Sequence, residues 1–513
     1  MTNVLVNEPV VRRHQQILMT FIIGLLATVP LWTNKIYYID DYFRLFTGDS
    51  HYWISNGRPL TTVLNVIMRF STVSTDISPL PLLLGILILS CASVVYCEKL
   101  SLPLKGYWQC VPPLFILLNP FLAQSMLFTY DSLTILLSAA LAMTASLNFG
   151  RIKGPIKGRI TFTSVSLTTV LMLSVFTTYQ IGINIYFGLV ILVATTRWAT
   201  GEPIGAYLLE KCACSLAAIV IYRYLIVTIT VHDPYTLSHS GILTPSKDAA
   251  VAVLNNVRIL YLTFASAFPG YRLLFVILPL IVSYTGLWVL YQRHRRHKSQ
   301  SLPNSAVSVI VLSVIPIMMM LIVPGLSSVL TSPVYYPRVL SAWGCLNLFC
   351  FCITVMAYPT LGRWITGLYL ICLFYCLIVM LTMFNAVVNE QQHMLSIAQH
   401  MKIDLALLPP SQVKHIAIID QPSASPIVRV AKGALPIIGL LKSNLDNKSN
   451  SWAFESILTL EGIIIPPKIT ATAEMKAFIP QQYVSQSCDY RLFIYEGTAV
   501  FDLRNLHTTL KCR

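Results

Sequence analysis

The feature that most constrains this chain is a series of apolar runs, each about 20 residues long, that recur from near the N-terminus to about residue 383. A helix needs about 20 largely apolar residues to cross the hydrocarbon core of a bilayer. The 513-residue chain is 55% hydrophobic and 11% charged, with a mean hydropathy of +0.67, so it has too few polar side chains to cover a soluble globule. We therefore predict an all-α polytopic membrane protein with about eleven transmembrane helices.

Basic residues in the short loops predict the direction of the helices. Lysine and arginine gather in the loops at every second turn, starting with Arg12 and Arg13 before the first run. Cytoplasmic loops carry such an excess, so we expect a cytoplasmic N-terminus, a periplasmic C-terminus and a place in the bacterial inner membrane. The first run lacks a small-residue cleavage site and is expected to remain as a span. We predict spans at 16–33, 79–97, 108–124, 132–148, 161–178, 181–197, 206–230, 273–291, 306–323, 339–357 and 363–383.

The composition predicts two domains. A transmembrane domain at 1–384, which would hold the chemistry, is followed by a periplasmic C-terminal domain at 385–513, where the composition becomes ordinary. The apolar stretch 60–70 is too short to span, so we expect an amphipathic helix along the membrane interface. Three predicted periplasmic loops of the first domain are long enough to form a site. They are 34–78, 231–272 and 324–338.

The C-terminal domain is predicted to be small and of the α+β type. It begins with a polar helical stretch at 389–400. Strand-like runs follow at 414–419 and 491–503, and the second is interrupted by Glu496-Gly497 as in a hairpin.

Charge and cysteine content exclude some classes of function. The formal net charge is +15, but the basic residues are scattered through short loops, so membrane topology explains them better than nucleic-acid binding. Ten of the twelve cysteines lie in or beside apolar segments at spacings that match no metal site, which predicts packing roles. Cys488 and Cys512 in the tail would be able to form a disulfide in a periplasmic domain, and the sequence leaves this open.

The densest polar cluster lies just beyond the first span. Asp40 and Asp41 stand together, followed by Arg44 and, further on, Trp53. Carboxylates are expensive to place near lipid unless something positive or reactive meets them. One carboxylate could accept the proton of an attacking sugar hydroxyl while the other pairs with Arg44, and the aromatic residues could stack on sugar rings. Alternatively, the acids cap the loop and the aromatic residues form an interfacial belt.

A second acid and two further cations are predicted near the same membrane face. Asp131 precedes Ser132 at the start of a span, where it could be catalytic or could simply cap the helix. Arg338 enters a span from the outer side, against the charge bias of the loops. Arg223 lies within an apolar run and needs a partner, either an acid such as Asp131 or Asp233, or a phosphate that its planar fork would bind.

Weaker candidates complete the inventory. Arg58 could bind phosphate or lie among lipid headgroups, as could Arg258 and Arg272, and the aromatic pair Tyr335-Tyr336 could bind sugar. The sequence has no phosphate-binding P-loop, no dinucleotide-binding glycine motif and no zinc-protease or Gly-x-Ser-x-Gly motif. No cofactor is predicted, and a divalent metal at the paired acids is possible but unsupported.

Four short motifs, in this order and topological placement, resemble those of the serotype-converting O-antigen glucosyltransferases of enterobacteria and their temperate phages. The likeness extends along the membrane region and, by layout only, to the tail. The motifs are Asp40-Asp41-x-x-Arg44, Trp53-x-x-x-Gly57-Arg58-Pro59, Asn119-Pro120 with Phe128-x-Tyr130-Asp131-Ser132, and Tyr335-Tyr336-Pro337-Arg338.

This resemblance implies a GT-C-like membrane enzyme. Such an enzyme takes glucose from undecaprenyl-phosphate-glucose on the periplasmic side and attaches it to a sugar of lipid-linked O-antigen, and a companion synthase and flippase supply the donor. Asp41 or Asp40 would then deprotonate the acceptor, with inversion at the anomeric carbon, and Arg338 would bind the phosphate, helped by Arg44, Arg58 or Arg223.

Two alternatives share many of these features. A flippase or transporter of lipid-linked sugars would have the same spans and arginines, but we expect it to carry charges near the bilayer midplane and to show repeat symmetry. A related enzyme alternative is an O-antigen polymerase, or a polyprenyl-phosphate-sugar transferase that uses a different sugar.

Overall fold

The computed structural model describes residues 11–147, 161–297, 313–441, 451–463 and 468–504. The chain is mostly helical and carries one small sheet near the C-terminus. Its contacts divide it into two compact units, which we call the membrane unit and the tail unit. The membrane unit comprises Met1–Lys35 and Thr47–Leu381, and the tail unit comprises Ile36–Phe46 and Thr382–Arg513.

Within the described residues, seven helices are long and apolar enough to cross a membrane. These helices indicate a membrane protein. The predicted count of about eleven spans stays a prediction. The seven are Leu80–Lys99, Gly182–Ala199, Gly205–Thr230, Lys247–Ser266, Gly270–Arg293, Pro337–Ala357 and Pro359–Ala406.

In the part of the chain that the structure describes, nineteen α-helices precede the sheet. Of these, α3 falls almost wholly in the tail unit, α19 runs through the boundary between the units, and the others belong to the membrane unit. The α-helices are α1 Arg13–Ala27, α2 Val29–Thr33, α3 Asp40–Thr47, α4 Tyr52–Ser55, α5 Pro59–Arg69, α6 Leu80–Lys99, α7 Leu114–Leu117, α8 Pro120–Met126, α9 Ser132–Ser146, α10 Phe162–Thr178, α11 Gly182–Ala199, α12 Gly205–Ile221, α13 Thr228–Thr230, α14 Pro234–Ser240, α15 Lys247–Ser266, α16 Leu274–His297, α17 Ser313–Ile322, α18 Trp343–Ala357 and α19 Gly362–Ala406. A π-helical segment covers Tyr222–Val227, and 3-10 turns cover Gly106–Cys110, Gly270–Leu273, Gly325–Val329, Pro337–Leu340, Pro359–Leu361 and Pro410–Gln412.

The segment predicted as the third span, 108–124, contains no continuous helix. A 3-10 turn, α7 and α8 follow one another there instead. Pro112, Pro113 and Pro120 lack the backbone N–H that a helix needs, and their rings clash with the preceding turn. Nearly all side chains of this segment are buried, which is the condition under which irregular backbone is tolerated at membrane depth.

Two loop predictions can be compared with the structure. The predicted interfacial helix at 60–70 is confirmed as a helix by α5, while its position in the interface stays a prediction. The predicted loop 231–272 contains α15, a 20-residue helix that is itself apolar enough to span, so the assignment of this segment to the periplasm also stays a prediction. The predicted span at 306–323 lies partly outside the described residues.

The tail unit contains a five-stranded mixed sheet in the order β2-β1-β5-β4-β3. The strand β1 is parallel to β2 and β5, while β4 is antiparallel to β3 and β5. The predicted hairpin is confirmed, because Glu496 and Gly497 have positive φ angles of 45° and 75°, as a two-residue hairpin turn requires. The strands are β1 His415–Ile419, β2 Lys468–Thr470, β3 Ser485–Gln486, β4 Arg491–Tyr495 and β5 Thr498–Asp502.

Short helices and a small apolar core complete the tail unit. The core includes Ala417, Phe493 and Val500, whose side chains face away from water on adjacent strands. Cys488 is disulfide-bonded, and Cys512 lies outside the described residues. The remaining helices are α20 Pro426–Ala434, α21 Ile437–Leu441, α22 Ser451–Leu460 and α23 Ala473–Ala477.

Candidate functional site

Asp131 and Trp53 form a buried polar pair in the membrane unit. The Trp53 side chain is 0% exposed and that of Asp131 is 5% exposed, and the indole N–H of Trp53 donates a hydrogen bond to the Asp131 carboxylate. Asp131 occupies the N-cap position of α9, but its side chain makes no capping hydrogen bond. The capping alternative therefore fails, and the carboxylate is instead oriented by a residue 78 positions earlier.

Arg338 lies against the same turn that carries Asp131. Its guanidinium carbon is 5.2 Å from the centre of the Phe128 ring and 4.7 Å from that of Tyr336. Its backbone N–H donates to the side-chain oxygen of Gln124 at 2.9 Å, because the 3-10 turn that carries Arg338 packs against α8. We call Trp53, Phe128, Asp131 and Arg338 the Asp131 cluster. It joins an acid, a cation and two aromatic rings.

The two predicted sugar-binding tyrosines beside Arg338 are in different situations. Tyr335 donates its hydroxyl to Asn256 at 2.9 Å, so α15 holds it, while the Tyr336 ring stacks with Arg338. Both rings remain about one-third exposed and could present a face to a ligand.

A second polar cluster forms where α5 packs against α10. The Nε–H of Arg58 donates to Gln180 at 3.2 Å, and its guanidinium carbon is 4.6 Å from the centre of the Tyr179 ring. The Gln180 amide donates to the Tyr222 hydroxyl at 2.7 Å. We call Arg58, Tyr179, Gln180 and Tyr222 the Arg58 cluster. It fixes a cation that has no carboxylate partner among the described residues.

Gly57 allows this cluster to close. Its φ angle is +72°, a conformation that favours glycine, and a Cβ atom at this position would lie 2.6 Å from the Tyr222 hydroxyl oxygen. That hydroxyl donates to the Gly57 carbonyl at 3.1 Å. The sequence Gly57-Arg58-Pro59 therefore sets the backbone so that Arg58 can reach Gln180.

Arg223 lies beside the Arg58 cluster in an irregular stretch of helix. It belongs to the π-helical segment Tyr222–Val227, a type of segment that frequently occurs at functional sites. Among the described residues no acid pairs with Arg223, and its buried Nη1 has no hydrogen-bond partner. Asp233, one acid considered as its partner, instead caps α14 by accepting from the Thr236 N–H at 2.9 Å.

The tail unit contains the other three predicted residues, Asp40, Asp41 and Arg44, on α3. Asp40 is exposed, whereas Asp41 and Arg44 are 0% and 1% exposed and lie three residues apart on one face of the helix. The Asp41 carboxylate accepts the backbone N–H of Tyr38 at 2.9 Å, so the loop-capping role is present. Burial and the Asp41 charge raise the pKa of Tyr42.

The structure also brings in residues that the sequence prediction missed. Gln124, Gln180 and Tyr222 each hold a predicted arginine or its neighbour, although none belongs to a recognised motif. A glutamine in an otherwise apolar segment was the available signal, since a buried amide requires hydrogen-bond partners. Throughout the described part of the chain, no three His, Cys, Asp or Glu side chains form a group that could hold a metal ion.

Together, the fold and these clusters define the class of protein. Arg223 and Arg338 lie on helices that could span a membrane, and Arg338 lies close to a buried acid and to aromatic rings, a combination that suits a ligand with a charged group and sugar rings. The chain belongs to the glucosyl transferase GtrII family, whose profile matches residues 29–349. Members of this family are described as glucosyl transferases.

One curated relative comes from a phage. An uncharacterized 55.3 kDa protein encoded in the region 5′ of gtrB in Salmonella phage P22 is 28% identical over 266 residues, which is 50% of this chain and 52% of the phage protein. The chain thus spans about half the length of the curated relative that it matches. No solved structure matches the chain.

Proposed function

We propose that this protein transfers glucose from undecaprenyl-phosphate-glucose to a sugar of lipid-linked O-antigen on the periplasmic face of the membrane. The observation that carries the proposal is the match to the GtrII family over 29–349, a range that contains both clusters described above. The resemblance of the four sequence motifs to serotype-converting O-antigen glucosyltransferases supports the choice of a lipid-linked donor and acceptor.

The Asp131 cluster is proposed as the reaction centre. The acceptor hydroxyl attacks the anomeric carbon of glucose and gives its proton to a carboxylate, while the bond between that carbon and the phosphate oxygen breaks and its electron pair leaves with the phosphate. Asp131 suits the role of base because Trp53 already orients its carboxylate. A single displacement of this kind inverts the configuration at the anomeric carbon.

Arginines are proposed to bind the phosphate of the donor. Arg338 would neutralise the charge that develops on the leaving group, and Tyr335 and Tyr336 would contact a sugar ring. Arg58 and Arg223 are two further cations, and neither has a carboxylate partner among the described residues. We propose that they also face the phosphate.

Asp40, Asp41 and Arg44 remain proposed site residues of the tail unit. Of the two acids, Asp41 is the stronger candidate for a base, because it is buried beside Tyr42 whereas Asp40 is exposed. Arg44 is proposed as a further cation for the phosphate.

The proposed topology has about eleven spans in a GT-C-like arrangement in the bacterial inner membrane. The N-terminus would be cytoplasmic and the C-terminus periplasmic, and a companion synthase and flippase would deliver the donor. A reporter that is active only in the periplasm, fused after Arg513, should be active. An enzyme reporter that works only in the cytoplasm, active at the same position, would overturn the topology.

Reconstitution tests the proposed function directly. The purified full-length protein is placed in vesicles with undecaprenyl-phosphate-glucose and lipid-linked O-antigen, and glucose transfer is measured. Wild-type protein should transfer glucose, and Asp131→Asn should lower transfer by about 10² to 10⁴-fold while it still inserts into the vesicles. Asp41→Asn in parallel identifies which acid is the base. Movement of the donor across the bilayer without any transfer would instead assign a flippase.

A further inference from the structure

A cavity of about 510 Å³ lies in the tail unit, at one edge of its sheet. The three parallel strands β2, β1 and β5 run in the same direction, so their carboxyl ends meet at this edge. Ligands of open α/β sheets characteristically bind at the carboxyl ends of the strands. The volume falls within the range of about 300–1,000 Å³ that is usual for small-molecule sites.

The chain leaves β1 at the wall of the cavity. Asp420 follows β1 and has a positive φ angle of 68°, and its carboxylate accepts the backbone N–H of Gln421 at 3.0 Å. Both residues line the cavity. The side-chain oxygen Oε1 of Gln421 is buried and has no hydrogen-bond partner among the described residues. A buried acceptor without a partner is destabilising, and a ligand hydroxyl that donates to it would remove that cost.

The charges around the cavity disfavour an anion. Arg504 is neutralised by Asp502, to which it donates two side-chain hydrogen bonds at 2.8 and 2.7 Å, and this pairing raises the pKa of Arg504. Its Nη1 donates to the Lys476 carbonyl at 2.7 Å. The other charged side chains at the wall are Asp420, Glu455 and Lys476, two acids and one base.

The remaining wall is apolar. Phe454 and Ile469 line the cavity beside the hydrogen-bonding groups of Gln421 and Thr470. Hydrogen-bond acceptors and hydroxyls next to an apolar surface are the combination that binds a sugar, whose hydroxyls need partners and whose C–H face needs an apolar surface.

We propose that this cavity binds an uncharged sugar unit of a polysaccharide. Gln421 would accept a hydrogen bond from one hydroxyl, Asp420 would accept from another, and Ile469 would contact the C–H face of the ring. That the polysaccharide is the acceptor of the reaction rests on the proposed function. The cavity then serves as a secondary site that holds the polymer, and none of its lining residues is among the groups assigned to glucose transfer.

Calorimetric titration of the full-length protein tests this site. The probe is O-antigen polysaccharide released from its lipid by mild acid. Gln421→Met keeps the length of the side chain but removes the acceptor, so we expect binding about fivefold to tenfold weaker and thermal stability unchanged or slightly higher. Gln412→Met, at an exposed glutamine just before β1, is the matched control and should bind like the wild type.

The outcomes separate this inference from the proposed function. Equal binding by Gln421→Met and Gln412→Met, or no binding by the wild type, would overturn the inference. Displacement of the polysaccharide by inorganic phosphate would do the same, because it would assign an anion site. If binding depends on Gln421 while reconstituted protein transfers no glucose, the sugar site stands and the proposed reaction fails. If transfer occurs and Gln421→Met leaves the KM for acceptor unchanged, the proposed reaction stands and the sugar site fails.

Discussion

Charges occur in two opposite situations within one helix, Gly205–Thr230, that is long and apolar enough to span a membrane. Near its start, Glu210 and Lys211 are 5% and 0% exposed and form an ion pair at 3.2 Å. The Lys211 ammonium also donates to Thr168 at 3.0 Å, and Glu210 accepts from Ser164 at 2.7 Å. Near the end of the span, Arg223 keeps a buried Nη1 without a hydrogen-bond partner among the described residues.

The difference teaches that burial alone does not identify a functional charge. Both charges of the Glu210–Lys211 pair are matched inside the protein, so the pair joins α12 to α10 and its role is structural. Arg223 has a hydrogen-bond donor that no described residue uses, its buried Nη1, within an apolar helix, where an unsatisfied charged group is costly. An external anion would satisfy it, which is why we assign it to the ligand and the other pair to the fold.

Removing one member of the structural pair should have the largest effect. Lys211→Met leaves the Glu210 carboxylate buried without its cation, so we expect a loss of about 3–5 kcal/mol in stability and little folded protein. The measurement is the thermal midpoint and the monodisperse yield in detergent.

The double variant Glu210→Gln with Lys211→Met is its control. Replacing both charges removes the imbalance, and we expect most of the stability to return. A single Lys211→Met variant as stable as the wild type would show that the pair does not hold α12, and the contrast with Arg223 would be lost.

Arg223→Met should give the opposite pattern, with a smaller loss in stability and a specific loss of function. The protein should fold, because a cation with an unused buried donor is replaced by an apolar side chain. Glucose transfer should fall by about 10² to 10³-fold, as when one group that stabilises transition-state charge is removed. Arg258→Met, at an exposed arginine on α15, should transfer glucose at the wild-type rate. Equal rates for both variants would remove Arg223 from the site.

Gly57→Ala should have the smallest effect of the three. The new methyl group would lie against the Tyr222 hydroxyl in a left-handed backbone conformation, so we expect a loss of about 1–3 kcal/mol. Gly201→Ala is matched, because Gly201 also has a positive φ of +77° but nothing lies within 4 Å of its added Cβ. The thermal midpoint should fall further for Gly57→Ala than for Gly201→Ala. Adding Tyr222→Phe to Gly57→Ala removes the hydroxyl that the methyl group meets, so it should narrow the difference between the two glycine variants. An equal fall would contradict the close approach.

Much of the secondary structure could be predicted because its signals are local. Apolar runs predicted most of the long helices, and Glu496-Gly497 between two β-rich runs predicted the hairpin. The break at 108–124 was also readable in principle, since Pro112 and Pro113 stand within the predicted span. The segment was nevertheless predicted as a span, because its strong hydrophobicity was given more weight than its prolines.

The partners within each cluster could not be predicted from the sequence. Asp131 meets Trp53 over 78 positions, and Arg58 meets Gln180 over 122 positions. Such pairs depend on which helices pack together, and neither helix periodicity nor residue type determines that. The sequence therefore indicated the acids and arginines but not the glutamines and tyrosine that hold them.

The most direct test of the central claim is made in bacteria that also express a synthase and a flippase for the proposed donor. The O-antigen is analysed by mass spectrometry after expression of the wild-type chain or of Asp131→Asn. Our account predicts an added hexose on the repeating unit with the wild type and almost none with Asp131→Asn, at equal amounts of protein in the membrane. An unmodified O-antigen with the wild type, or full modification with Asp131→Asn, would contradict it.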